Sequence, residues 1–258
     1  MKITKDTKLK DIDLAPEFSQ ARGQLISGSE NRFVGESGEL TLEGLQRKNP
    51  TWDHRDMIYG LERLQAIAGT GGRVVYPVYS EEEVKKDHHL AQVQLIHLPA
   101  DRKGAGHYAI LLAGGAYGAV CTMVESIPVA ARLNELGMSC FCLNYRTATQ
   151  ESFISGLMPK PLDDLAAAWR FIKAHEEAFG VIAESYIVGG FSAGGHTAAL
   201  WGTAHMGFRK YDIPAPVLLL LGYPLITLRD LEPGPITDYI KLGLFGAGYT
   251  GEDISRYA

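Results

Sequence analysis

The sequence predicts an α/β fold: a mostly parallel sheet with helices on both faces, preceded by a helical accessory region. Three observations predict it. From residue 71 onward, short apolar runs alternate with longer stretches of helical period. Several of those runs are apolar almost throughout, as strands covered on both faces must be. One of them leads into Gly190-Phe191-Ser192-Ala193-Gly194-Gly195-His196 and straight on into a helical run, a strand–turn–helix with a serine at its apex.

The chain has 258 residues, 46% of them apolar, enough for one large core. It divides into an N-terminal helical accessory region over 1–69 and the α/β core over 70–258. The net charge of −5 argues against nucleic acid or an anionic membrane as main partner. The apolar runs are too short to span a bilayer. Met1-Lys2-Ile3-Thr4-Lys5-Asp6 has no apolar stretch of a secretory signal. The three cysteines are an odd count, and Cys140 and Cys142 sit two apart on one predicted strand, where they would not pair. A reducing cytoplasm fits. No CxxC pair or zinc-type His/Cys spacing is present, so neither a metal nor a cofactor is expected.

In chain order, Lys10 to Gly38 reads as irregular and polar. Thr41 caps a short helix that stops before Asn49-Pro50. Thr51 caps a second, with Met57, Leu61, Leu64 and Ala68 on one stripe ending at Gly69. Arg73–Tyr79 and Ala91–Leu98 read as an antiparallel pair at a sheet edge, joined by a charged linker over Glu81–His89. His88 and His89, taken as strand neighbours, would point to opposite faces and bind no metal. Strand Tyr108–Leu112 leads into Ala113-Gly114-Gly115-Ala116-Tyr117-Gly118. A helix through Val129, Leu133 and Leu136 follows, then strand Ser139–Tyr145. A helix starting at Asp163 or Asp164 runs to Phe179 and stops at Gly180. The strand Ser185–Gly189, its helix, and the strand Pro216–Tyr223 complete the alternation. Asp238–Phe245 reads as one more helix.

The chemistry centres on Ser192. A serine between strand and helix takes a strained backbone, which small neighbours at Gly190 and Gly194 allow. The Ala193 N–H, at the helix start, then points where an oxyanion would form. Further donors are expected from the Gly-rich turn after an earlier strand, namely the N–H groups of Gly115 and Ala116. The same turn supports a rival reading as a degenerate dinucleotide fingerprint, Gly114-Gly115-x-x-Gly118, with Arg146 meeting a 2′-phosphate. It is off-register, and it leaves Gly190 to Gly195 unexplained.

With these residues in view, the chain resembles the α/β-hydrolase superfamily. Within it, the likeness is to esterases related to hormone-sensitive lipase and to bacterial feruloyl and acetyl-xylan esterases. Leu112 to Tyr117, Asn144-Tyr145-Arg146, the helix from Asp163 to Phe179, Gly190 to His196 and Tyr223-Pro224 carry it, across residues 71–258. The resemblance implies serine-dependent hydrolysis of a small or short-acyl carboxylic ester, such as an acetylated or feruloylated carbohydrate, through an acyl-enzyme and without a cofactor. A peptidase or thioesterase of the same superfamily and a non-catalytic hydrolase-like binding module are the alternatives.

There are two departures. The family's loop histidine is replaced by Ala113, which leaves open how the loop is anchored. The family order of serine, acid and histidine places the last two after a seventh and an eighth strand. The chain reaches a sixth strand at Leu221, so the acid and base are expected beyond Ala258. Asp230, His196 and His205 are weak substitutes, and His107 is expected at the far end of the sheet. A small-molecule ester is the expected partner. An uncovered edge at Val217–Leu221 would invite aggregation or homo-oligomers.

Overall fold

The computed structural model describes residues 1–27, 38–100, 106–229 and 231–257. The N-terminal part forms α1 (Leu9–Leu14), a 3-10 turn over Pro16–Ala21, α2 (Leu42–Lys48) and α3 (His54–Gly69). The stretch expected to be irregular is therefore helical in its first half, while 28–37 lies outside the described residues. Thr41 caps α2, its Oγ1 accepting the Gly44 N–H at 3.0 Å. Thr51 does not cap α3; Asp53 does, at 2.8 Å from the Arg55 N–H. Met57, Leu61 and Leu64 form the buried stripe read from the sequence.

The remainder runs β1 (Val75–Pro77), α4 (Glu81–Lys86), a 3-10 turn (His88–Gln92), β2 (Gln94–Leu98), β3 (Tyr108–Leu112), α5 (Ser126–Glu135) and β4 (Ser139–Asn144). Then come α6 (Ser152–Ser155), α7 (Lys160–Ala174), α8 (Glu176–Phe179), β5 (Tyr186–Phe191), α9 (Ser192–Trp201), β6 (Leu218–Gly222), α10 (Pro235–Phe245) and α11 (Gly251–Arg256). The charged linker after β1 is thus a helix, opened by a Ser80/Glu83 capping box. Helix α7 starts at Lys160, with a proline in its first turn, rather than at Asp163 or Asp164. Asp164 is instead fully buried and paired with Arg146 at 2.8 Å, with the Tyr79 hydroxyl donating to it at 2.9 Å. A buried carboxylate needs such partners, so this position serves tertiary structure rather than capping.

The six strands form one sheet in the order β1-β2-β4-β3-β5-β6. β3 pairs in parallel with β4 and β5, and β5 with β6, while β1 and β2 are antiparallel additions at one edge. The sheet is the mostly parallel one expected. Alternation along β3 sorts side chains into two cores. Tyr108, Ile110 and Leu112 join α7 and α9 residues such as Leu165, Trp169 and Trp201. Ala109 and Leu111 face Met57, Leu61, Leu64 and Ile127 of α3 and α5. At Gly60 the two helices approach so closely that a Cβ would lie 2.8 Å from the Ile127 side chain. At the other end of the described sheet, Leu218 and Leu221 of β6 are exposed. Among the described residues, no helix is long and apolar enough to cross a membrane.

His97 on β2 is buried and stacked on Phe141, with ring centroids 4.4 Å apart, and its Nε2 has no hydrogen-bond partner. Burial lowers its pKa from 6.5 to about 4. Between those values the unfolded chain binds a proton that the folded chain does not, so stability falls as the pH drops through that window. The slope reaches at most about 1.4 kcal/mol per pH unit. Urea denaturation of His97→Phe at pH 7, 6, 5 and 4 is expected to show a shallower loss of stability than the wild type, with His196 still contributing.

Candidate active site

Strand β3 has β4 on one side and β5 on the other, so the chain reverses direction across the sheet at β3. A crevice opens at the carboxyl ends of strands at such a point. Two turns meet there, the one after β3 and the one between β5 and α9. Ser192 begins α9 with φ +48, a left-handed backbone rare for a residue with a Cβ. The surrounding backbone leaves it no alternative. A Cβ on Gly190 would lie 2.2 Å from the Gly194 carbonyl oxygen, and one on Gly194 would lie 2.2 Å from that of Leu112. The two glycines read as permitting the turn do so by letting backbone touch backbone.

The turn after β3 presses on the serine directly. A Cβ on Gly114 would be 2.7 Å from the Ser192 Cβ. The first three carbonyls of the turn are engaged. Ala113 O accepts the Tyr145 hydroxyl at 2.7 Å, and Gly114 O accepts the Cys121 N–H at 2.9 Å. Gly115 O accepts the N–H groups of Gly118 and Ala119, each at 3.0 Å. In a trans peptide the N–H points opposite to the C=O. Carbonyls turned into the loop therefore turn the N–H groups of Gly115 and Ala116 out of it. Among the described residues, nothing accepts from those two N–H groups or from that of Ala193. Gly115 has φ +139, Ala116 φ +52 and Tyr117 φ +60, a run of unusual backbone in the loop expected to supply donors.

Tyr117 ties this loop to α9: its hydroxyl lies 2.7 Å from His196 Nδ1 and 3.0 Å from Thr197 Oγ1. His196 Nε2 is 2.6 Å from the Tyr257 carbonyl, so both ring nitrogens are occupied away from Ser192, and burial lowers its pKa. His107 bonds to Ser185 at the amino ends of β3 and β5, the far end of the sheet as expected. His205 is exposed. Asp230 lies outside the described residues. Among the described residues, no histidine or carboxylate is hydrogen-bonded to the Ser192 hydroxyl.

Arg146, the residue of the rival nucleotide reading, is mostly buried and committed to Asp164. His88 and His89 lie on a 3-10 turn rather than a strand, with rings 4.0 Å apart. With Asp87 they bring one donor atom each within 4.8 Å of one another. Arg146 stands 3.6 Å from that aspartate.

Glu125 was not singled out by the sequence. It sits one residue before α5 and is buried; its Oε2 accepts the Gly114 N–H. Burial pushes its pKa up, opposed by the Gly114 N–H, Tyr223 and Trp52. Tyr223, after β6, has φ +38 and its ring lies 5.9 Å from that of Phe191. An acid at a helix start is ordinary, so only the folded chain distinguishes this one.

Sheet order, switch point and serine turn together define an α/β-hydrolase fold. The likeness read from the sequence is borne out by comparison: residues 95–211 match the family model BD-FAE. The chain is 30% identical over 166 residues to ethyl acetate hydrolase of Pseudomonas putida, covering 64% of this chain and 48% of that protein. It is 28% identical over 156 residues to endo-1,4-beta-xylanase B of Butyrivibrio fibrisolvens, covering 58% and 23%. The chain thus spans about half or less of the curated relatives it matches. Among solved structures it resembles the acetyl ester-xyloside bifunctional hydrolase of Caldicellulosiruptor lactoaceticus, with TM-score 0.56, 26% identity, and coverage of 71% of this chain and 67% of that one.

The contact at Gly194 yields a stability test. Gly194→Ala drives a Cβ into two backbone carbonyls, Leu112 at the end of β3 and Ala113 just after it. A loss of roughly 1–3 kcal/mol or more is expected. Gly69→Ala, at a position with open space, is expected to stay within about 0.5 kcal/mol or to stabilise. Equal urea midpoints for the two variants would contradict the packing described.

Proposed function

We propose that this chain hydrolyses carboxylic esters with Ser192 as nucleophile, and that its substrates are small esters with short acyl groups. The observation that carries the reading is the left-handed Ser192 at the carboxyl end of β5, held against a loop whose outward N–H groups have no internal acceptor. The short-acyl preference is supported by the relatives, whose names specify ethyl acetate and an acetyl ester.

The Ser192 oxygen attacks the acyl carbon, and the carbonyl oxygen takes up negative charge. The N–H groups of Gly115, Ala116 and Ala193 donate to that oxygen, which they favour more as its charge grows. The carbon–oxygen bond to the leaving alcohol breaks, and the alcohol departs with the proton released by the serine. Water then attacks the acyl-serine through the same oxyanion and frees the carboxylic acid. A serine hydroxyl needs a general base for this at neutral pH.

Aryl acetate and butyrate turnover, with fluorophosphonate labelling of Ser192, tests the reading. Ser192→Ala is expected to abolish labelling and to lower turnover by several orders of magnitude with the fold retained. Persistent turnover in a folded Ser192→Ala protein, or faster turnover of long-chain than acetyl esters, would overturn it.

Gly115 tests the donors separately. A Cβ there would lie 2.2 Å from the Ala119 carbonyl oxygen, on a backbone that side chains rarely adopt. Gly115→Val is expected to slow Ser192 acylation by about a hundredfold or more. An unchanged rate would move the donors elsewhere.

A further inference from the structure

The N–H groups of Gly115 and Ala116 point where they do because the peptides before them are fixed. The first of these, joining Ala113 to Gly114, is gripped at both ends. Its C=O accepts the Tyr145 hydroxyl, and its N–H donates to the Glu125 carboxyl. Tyr145, just after β4, and Glu125, just before α5, are buried, so the peptide plane is set by tertiary structure rather than by the turn's own sequence. Removing the acceptor would leave the Gly114 N–H unpaired in a buried place, which costs about 1–3 kcal/mol and is relieved by turning the peptide. Such a turn would carry Gly115 with it.

We propose that Glu125 is a positioning residue for the Ser192 site, its carboxyl oxygen holding the Ala113–Gly114 peptide so that the following N–H groups face the acyl oxygen. This rests on the reading of Ser192 as an ester-cleaving nucleophile. Glu125 fills the anchoring role left open by the absent loop histidine. It also connects the loop to other parts of the chain: Trp52, between α2 and α3, and Tyr223, after β6, both approach the same carboxyl. The nearby segment Leu25–Ser27 reinforces the arrangement, with Met123 N–H donating to Leu25 O at 2.7 Å and Val120 N–H to Ser27 O at 2.6 Å.

The chemistry asks for an acceptor at this position, not for a charge. A full negative charge beside the oxyanion would oppose it, whereas an uncharged carbonyl oxygen still accepts the Gly114 N–H, more weakly than a carboxylate. Glu125→Gln keeps an acceptor and the volume. Glu125→Met keeps the volume and has no acceptor of comparable strength. The two variants are compared with wild type by circular dichroism, by hydrogen exchange of the Gly114–Tyr117 amides, by fluorophosphonate labelling of Ser192 and by aryl acetate kinetics.

Glu125→Gln is expected to label within about threefold of wild type, and Glu125→Met about thirtyfold to a hundredfold more slowly, with the loss in kcat rather than KM. Loop exchange should rise in the Met variant alone. Equal labelling in the Met variant and wild type, or a Gln variant as impaired as the Met variant, would overturn the proposal. Unlabelled wild type would overturn the esterase reading instead. Loop exchange would still decide the anchor, since equal exchange in the Gln and Met variants would remove it.

Discussion

Two stretches of backbone meet at the carboxyl ends of β3 and β5 with no space for a side chain between them. Gly194 at the start of α9 lies against the carbonyls of Leu112 and Ala113, and Gly114 lies against Ser192. Much of the site's geometry follows from that contact. It draws α9 across the end of β3, which fixes where the serine projects. It sets the loop after β3 beside the serine rather than above it. It also places the start of α9, with its Ala193 N–H, and the outward N–H groups of the loop at one spot. Strain at Ser192 persists because the glycines around it have no other arrangement that keeps β3 and β5 paired.

The parts of this geometry that came through in the sequence are those encoded locally. β3, β4 and β5 are buried on both faces, so their residues are apolar in unbroken runs, and their limits matched to within a residue or two. The Ser192 turn is legible because backbone contact excludes every residue but glycine at Gly190 and Gly194, a constraint written directly as letters. Thr41 was legible for the same reason: a cap is a local bond. Misreadings arose where two local signals competed. Thr51 and Asp53 are both capping residues, and the aspartate won because its side chain turns back to Arg55, while Thr51 bonds to Asn49. Asp163 and Asp164 looked like a helix start. Pro161 marked an earlier start, and Asp164 was needed for Arg146.

Short charged helices escaped for a different reason. α4 has no buried residue and α11 is too short to show a period. Each still carries a capping box, Ser80/Glu83 and Thr250/Asp253, which a search for capping pairs instead of apolar stripes would have found. Glu125 had no such signature. Its importance comes from Gly114, eleven residues earlier and across a turn, and from Trp52 and Tyr223, which are distant in sequence. No pattern of spacing announces a bond whose partner is a backbone N–H.

A buried carboxyl is an odd choice beside a site that must gather negative charge. The arrangement becomes intelligible through its surroundings. Burial penalises the ionised form, and the Gly114 N–H, Tyr223 and Trp52 restore part of what burial removes. The balance leaves the pKa of Glu125 raised, with burial the largest cause. The carboxyl oxygen remains an acceptor in either state. A strong, directional acceptor in either state can thus hold the loop. The same neighbours make the grip collective. Trp52 belongs to the helical region that covers one face of the sheet, and Tyr223 to the turn after β6. A shift in either therefore reaches Gly114 through a single carboxyl group, and the N–H groups beyond it follow.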